Sequence, residues 1–511
     1  MNRCMRQFLN IFSAIGLLIL WSCEPFYDPV VYEDVPSSPA STWDKERVIV
    51  KKTTERPFTS EDLTQDIPLS KLLDIALYNN PSTRASWNAA RASAYAYRSS
   101  LSSYYPTIAY AGSLNAQENI GSTFSLSGND IISGTSPTGP SHRPSVNMFN
   151  EITLTYLLLD FGGREATAEL ARQTLIASNW QHNYTMQQVM LSVLTAYTSY
   201  IGNKGLVDAY SENLKDAEVA LNAAKVMHSA GLATLTDILF AQSNVEQTRA
   251  NLIQAKGSEN TAIGQLLIAV GLPADSEINI EDLPKELPVI EISGDISSLL
   301  ELAKKKRPDL GIAIAAIKEQ EADLAISYSN SMPTLSTNLE WAQFKRISPR
   351  APSGYNEVAS LQLNIPIFNG FFYLNQQRQL RAQVEEALAN LDIQVAVVSS
   401  QVVTNYYSFK AAEGALPSSE AAVEFSQRAF RGYVVQYKTG TSSILDVLNS
   451  LTALSNARAQ AIITRTQWAI SLANLAFSVG ILDDTSGMWK KDPPENLYNI
   501  QIKDTNGPKG N

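Results

Sequence analysis

Cysteine is nearly missing from this chain. It has two in 511 residues, Cys4 and Cys23, so no disulfide framework is available to the rest of the sequence and its stability must come from packing. Histidine is as scarce. His142, His182 and His228 lie far apart with no H-x-x-x-H or H-E-x-x-H spacing, which argues against a metal site within one chain. No G-x-S-x-G elbow, phosphate-binding loop or dinucleotide fingerprint occurs, so the chain is expected to have no catalytic residues and no cofactor and not to be an enzyme. Basic residues are outnumbered, 40 against 50 acids, and form no stripe, which excludes nucleic acid as a natural partner. After residue 23 no apolar run reaches the roughly 20 residues of a spanning helix, leaving a lipid anchor or a β-barrel as the routes to a membrane.

The N-terminus reads as an address. Arg3 and Arg6 supply a positive end, Ile11 to Leu20 is a short apolar run, and Leu20-Trp21-Ser22-Cys23 follows in the manner of a bacterial lipobox. Residues 1–22 are therefore expected to be a lipoprotein signal peptide and Cys23 the acylated first residue of the mature chain. Residues 23–66, rich in Pro, Ser, Thr and charge, read as an extended tether or strap.

The rest repeats itself. An offset of 209 positions lays Arg172 on Arg381, Val193 on Val402, Gly205 on Gly414, Gly231 on Gly440, Asp237 on Asp446, Arg249 on Arg458 and Gly271 on Gly480. A second offset, 227, lays Ala76 on Ala303 and Pro81 on Pro308. The two registers imply one body built twice, with a first repeat over 67–275, a linker over 276–296, a second repeat over 297–482 and a tail over 483–511. The excess of the first half falls in a stretch rich in Gly, Ser, Thr and Pro, read as a lengthened exposed loop over 118–148.

Each half follows one pattern. A helical stretch from Leu69, broken at Pro81, runs to about Ser102 and meets a strand in which Ile108, Tyr110, Gly112 and Leu114 alternate with Thr107, Ala109, Ala111 and Ser113. Leu335, Thr337, Leu339 and Trp341 repeat this in the second half, and Ile152–Leu158 and Leu361–Ile365 supply a second strand to each hairpin. The strands are about ten residues long and apolar on one side, the period of a membrane barrel strand and equally of a half-buried soluble sheet. Long helical stretches follow, over 164–228 and 234–270 and again over 373–437 and 443–479. In the last, Ile444, Val447, Leu451, Leu454, Arg458, Ala461, Arg465, Trp468, Leu472 and Leu475 step as a coiled-coil seam, flanked by small residues that suit a helical cylinder.

Glycine tips join the helices. They read Ala230-Gly231-Leu232-Ala233-Thr234-Leu235-Thr236-Asp237 and Thr439-Gly440-Thr441-Ser442-Ser443-Ile444-Leu445-Asp446. Glycine suits the left-handed end of one helix, and the spacing Thr234 to Asp237 or Ser443 to Asp446 is that of a capping box beginning the next.

Signal cysteine, duplicated halves, Asp160-Phe161-Gly162-Gly163 and Phe368-Asn369-Gly370 after the hairpins, and the two tips together resemble the TolC-like outer-membrane efflux factors over about residues 67–482. The resemblance implies a mainly α fold with a membrane β-barrel: a homotrimer in which four strands per chain close one twelve-stranded barrel, continued by a trimeric helical tunnel. It implies a lipid-anchored channel of the bacterial outer membrane, reaching through the periplasm to a periplasmic adaptor of the membrane-fusion type and an inner-membrane pump. Gly231, Leu232, Thr236, Gly440, Thr441 and Leu445 match the family's adaptor-contact tips, with both leading valines replaced and the last position Leu. Asp446 matches a constriction ring, and Tyr437 with Asp237 a bridging pair of the gate. Ser442 and Asn449 stand where the best-known members carry an arginine bridge and a second acid ring.

The function so implied is a passive duct in a tripartite efflux system. The same architecture serves as the exit duct of a one-step (type I) protein secretion system. A lipid-anchored periplasmic coiled-coil scaffold and a lipid-anchored hydrolase are the rivals from other classes.

Overall fold

The computed structural model describes residues 35–43 except 37, 67–119, 143–280 except 275 and 277, 295–347 and 353–482. Cys23, most of the tether, residues 120–142 of the lengthened loop, most of the linker and the tail from 483 onward lie outside these described residues. Along the chain run α1 (Leu69–Asn79), α2 (Pro81–Ser100), a short 3-10 turn, β1 (Thr107–Asn119), β2 (Arg143–Leu159), α3 (Gly163–Ser229) and α4 (Leu235–Val270). The second half follows with α5 (Ile296–Lys306), α6 (Pro308–Asn330), β3 (Thr334–Ile347), β4 (Ser353–Asn364), α7 (Phe372–Lys438) and α8 (Ile444–Val479).

The chain divides into two compact units. One comprises residues 95–174 and 316–388 and carries the sheet. Its order is β1-β2-β3-β4, antiparallel throughout, so the two hairpins meet where β2 of the first half pairs with β3 of the second. Cross-strand rows put Ile108 opposite Leu154 and Leu154 opposite Leu339, and Tyr110 opposite Ile152 and Ile152 opposite Trp341, so one face is an apolar field. The other face carries rows of Thr107, Thr155 and Asn338, and of Ala111, Glu151 and Ala342. Among the described residues nothing covers the apolar face: Ile108, Tyr110, Leu114, Leu361 and Leu363 are all more than half exposed. The strands have 13, 17, 14 and 12 residues, longer than the alternation suggested. A ladder needs only paired backbone groups, and it continues past the last alternating side chain into polar residues such as Gln117 to Asn119. For the same reason 118–119 and 143–148, read in the sequence as loop, are strand.

The other unit holds most of the helical residues. Leu72, Ile75 and Ala76 of α1 pack on Met186, Val189, Val193 and Tyr197 of α3 and on Leu266 and Val270 of α4. The second half repeats the arrangement with Leu299 and Ala303 of α5, Val398 and Val402 of α7, and Leu475 and Val479 of α8. Residues 35–43 dock here as a strap: Trp43 stacks edge-on against Trp180, its N–H donates to Asn183 Oδ1 at 2.8 Å, and Trp87 Nε1 donates to Pro36 O at 2.7 Å. Pro417 sits inside α7 without interrupting it. The α8 seam departs from its sequence reading in one stretch, where Thr464 is buried and Arg465 exposed. A straight helix turns 3.6 residues per turn, so a 3.5-residue stripe drifts out of the contact within a few turns.

Candidate channel tip

The helix ends farthest along the chain from the strands form one cluster. Ala217, Ala220, Ala224 and Met227 of α3, Ala241 and Val245 of α4, Phe430, Val434 and Tyr437 of α7, and Ile444, Val447, Leu451 and Leu454 of α8 are mutually packed and buried. Alanines on α3 leave room for the large side chains of α7 and α8. That close contact holds both glycine turns in place.

Both turns are built alike. Gly231 and Gly440 take φ of 77°, which only glycine adopts without strain. Gly231 N–H donates to His228 O and Leu232 N–H to Met227 O, both at 2.9 Å; Gly440 and Thr441 repeat these bonds onto Tyr437 O and Gln436 O at 3.0 and 2.9 Å. The next helix then starts from a complete capping box in each half, Thr234 with Asp237 and Ser443 with Asp446. Gly231, Leu232, Thr236, Gly440, Thr441 and Leu445 are left exposed around the turns.

The two acids are held differently. Asp237 Oδ2 accepts the Thr234 N–H at 2.9 Å. Asp446 Oδ2 accepts three bonds, from Ser443 Oγ at 2.7 Å, Ser443 N–H at 2.9 Å and Ser442 Oγ at 3.0 Å. These donors, the Ser443 hydroxyl foremost, hold the exposed Asp446 below the usual carboxylate range, so it is an anion at neutral pH. Ser442 thus turns its hydroxyl to the acid. Tyr437 is 5% exposed, and its hydroxyl has no hydrogen-bond partner among the described residues. Burial, and then the negative charge of Asp237, push its phenol above the ordinary value. The structure brings Tyr437 and Asp237 within electrostatic reach, while the carboxylate bonds its own helix start. Among the described residues no group of three or more His, Cys, Asp or Glu is placed to hold a metal ion.

One contact escaped the sequence reading. Arg458, counted there as a seam position, reaches from α8 to α3 and donates to Asn213 Oδ1 at 2.7 Å and Asp216 Oδ2 at 2.8 Å. A charge inside an apolar stripe was the available signal, since such a group needs a partner when buried.

The family model for outer membrane efflux protein matches residues 72–272 and 299–481, both repeats with their tips. The chain belongs to that family. It is accordingly an outer-membrane efflux channel, the duct component of a tripartite export system. It is 23% identical over 439 residues to Protein CyaE of Bordetella pertussis, covering 85% of this chain and 88% of that protein. It is 26% identical over 365 residues to the pyoverdine export outer membrane protein OpmQ of Pseudomonas aeruginosa, covering 70% and 74% of the two chains. Among solved structures, the outer-membrane channel OprN superposes with a TM-score of 0.68 at 17% identity, over 81% of this chain and 89% of that one. The shared fold is thus mainly helical with a four-stranded antiparallel sheet.

Proposed function

We propose that three copies of this chain close a twelve-stranded barrel in the outer membrane and that their long helices continue it as a tunnel into the periplasm. The carrying observation is the sheet: β1 and β4 are open edges flanking an uncovered apolar face. An open edge in lipid leaves backbone N–H and C=O groups without partners, so the strands must pair with those of other copies. At the other end, Gly231, Leu232, Thr236, Gly440, Thr441 and Leu445 meet a periplasmic adaptor, which links the duct to an inner-membrane pump. Asp446 sets the local potential at the tip, and the cluster around Tyr437 opens when helix pairs shift. Cys23 carries lipid that anchors the chain.

Export needs no chemistry from such a conduit; the pump supplies the energy. Extraction from outer membranes tests the reading. A trimer that needs detergent for release and dissociates only on heating supports the barrel, whereas release on removing the lipid alone supports a periplasmic scaffold. Loss of small-molecule efflux on deletion of the gene, with protein secretion intact, separates the efflux duct from a secretion duct.

A further inference from the structure

The repeat pairs each contact within the chain with an equivalent set of residues in the other half. Within one chain, α3 lies against α8 through two glycines: a β-carbon on Gly205 would stand 3.4 Å from Ile462 Cγ2, and one on Gly202 would stand 2.5 Å from Thr466 Oγ1. Farther along the same contact, Arg458 of α8 bonds Asn213 and Asp216 of α3. The offset of 209 carries α3 onto α7 and α4 onto α8. The equivalent contact would therefore join α7 to α4, yet within one chain those two faces are open. Among the described residues nothing lies within 4 Å of a β-carbon added at Gly414 or Gly257. Ile253, the equivalent of Ile462, is 65% exposed, and Phe425, the equivalent of Asp216, is 63% exposed. Gly257 lines an open groove with Asn203, Gln254 and Ser258.

The two open faces are complementary. Gly205 against Ile462 becomes Gly414 against Ile253, the same residue types. Gly202 against Thr466 becomes Ala411 against Gly257: the side chain lost on one helix is regained on the other, which preserves the fit of a close helix crossing. Arg458 against Asp216 becomes Arg249 against Phe425. The equivalent of the arginine–carboxylate contact is thus an arginine and an aromatic ring, a pairing that guanidinium groups also favour.

We propose that the α7 face of Ala411, Gly414 and Phe425 seats on the α4 face of Gly257, Ile253 and Arg249 of a second copy, with Arg249 packed on the Phe425 ring. This rests on the trimer reading and adds its register. It also makes the two kinds of helix contact unequal. The contact inside a chain is fixed by an ion pair to Asp216. Arg249 keeps its pair with Glu246 on its own helix, Nη1 donating at 3.0 Å, so the contact between chains meets its guanidinium through a ring face and not through an ion pair across the boundary.

Disulfide trapping tests the register. Ile253→Cys with Gly414→Cys, oxidised in isolated outer membranes and run without reductant, is expected to give chain-linked dimers and trimers. Gly205→Cys with Ile462→Cys is expected to give only a bridge within one chain. Should either glycine substitution impair assembly, Ala411→Cys with Gly257→Cys samples the same crossing. A heat-dissociable trimer in which neither inter-copy pair forms a bridge overturns the register and leaves the trimer standing; absence of any trimer in the unmodified protein overturns both. For the arginine, Phe425→Ala is expected to lower the temperature of trimer dissociation, and Phe425→Asp to restore it only while Arg249 is present. Equal dissociation temperatures for Phe425→Ala and the unmodified trimer would remove the arginine–ring contact.

Discussion

Arg307 occupies in the second half the position that Asn80 occupies in the first, and each turns a side-chain N–H onto the closing carbonyls of a tunnel helix. Asn80 Nδ2 donates to Ala269 O at 3.0 Å, and Arg307 reaches Phe477 O and Ser478 O at 3.4 Å. Both stand against a left-handed glycine, Gly271 with φ of 83° and Gly480 with φ of 79°. Each long helix pair is thereby fastened to the short helices beside it. Arg307 is the heavier joint, for it also forms a two-pronged pair with Asp309 and donates to Gln401.

Arg307→Ala is expected to destabilise the helical body by about 3 kcal/mol or more, because Asp309 then keeps a largely buried charge without its counter-ion. Arg307→Lys should recover only part of this, lacking the planar fork. Thermal unfolding followed by circular dichroism checks both; equal melting temperatures would show the joint to be dispensable.

Glycine replacements should separate strain from crowding. A β-carbon at Gly271 meets the Asn80 backbone at 2.8 Å as well as an unfavourable φ, whereas one at Gly440 meets nothing within 4 Å among the described residues. Gly440→Ala is expected to cost about 1 kcal/mol and Gly271→Ala clearly more. Comparing the two melting temperatures decides.

The strap should loosen in acid. His182 Nε2 donates to Ser41 O at 3.1 Å while Nδ1 accepts from Ser86 Oγ at 2.8 Å, and burial pushes the ring from 6.5 down to about 4. A base depressed in the docked state is protonated first when released, so docking stays at full strength above about pH 6.5 and weakens as pH falls toward 4. The loss is at most about 3 kcal/mol. Hydrogen exchange at residues 38–43 should rise over that window, and His182→Gln should flatten the change.

Asp446→Ala should leave the trimer assembled, because the acid is exposed and the Ser443 hydroxyl still caps the helix. It should lower cation preference and alter conductance in planar bilayers, since three anions leave the tip. The cap itself holds while Asp446 is ionised, so its contribution is present above the unfolded carboxylate value and fades as pH falls through the lowered folded one. Unchanged ion selectivity with a lower melting temperature would reduce Asp446 to a helix cap.

Mass analysis of the mature N-terminus should find an acylated Cys23. An unmodified chain beginning elsewhere removes the lipid anchor.

Much of this architecture is written in local sequence. Helix limits read as 164–228 and 443–479 appear as 163–229 and 444–479, and both capping boxes form where their spacing placed them. Such signals act over three or four residues, through a dihedral or a cap, so they need no knowledge of the fold. What acts across distance had to await the tertiary structure. Alternation gave each strand two faces, but only the folded chain joins β2 to β3, because any two such strands satisfy each other's backbone. The seam spacing made Arg458 one more contact, and only the approach of α3 gives it Asp216. Asp446 was legible as cap or ring; its three donors come from its own turn, and the charge they leave exposed faces whatever lies beyond the single chain. The sequence determined the elements and their repetition, and packing decided the partners, since a side chain's spacing records its own helix or strand and not what will be brought against it.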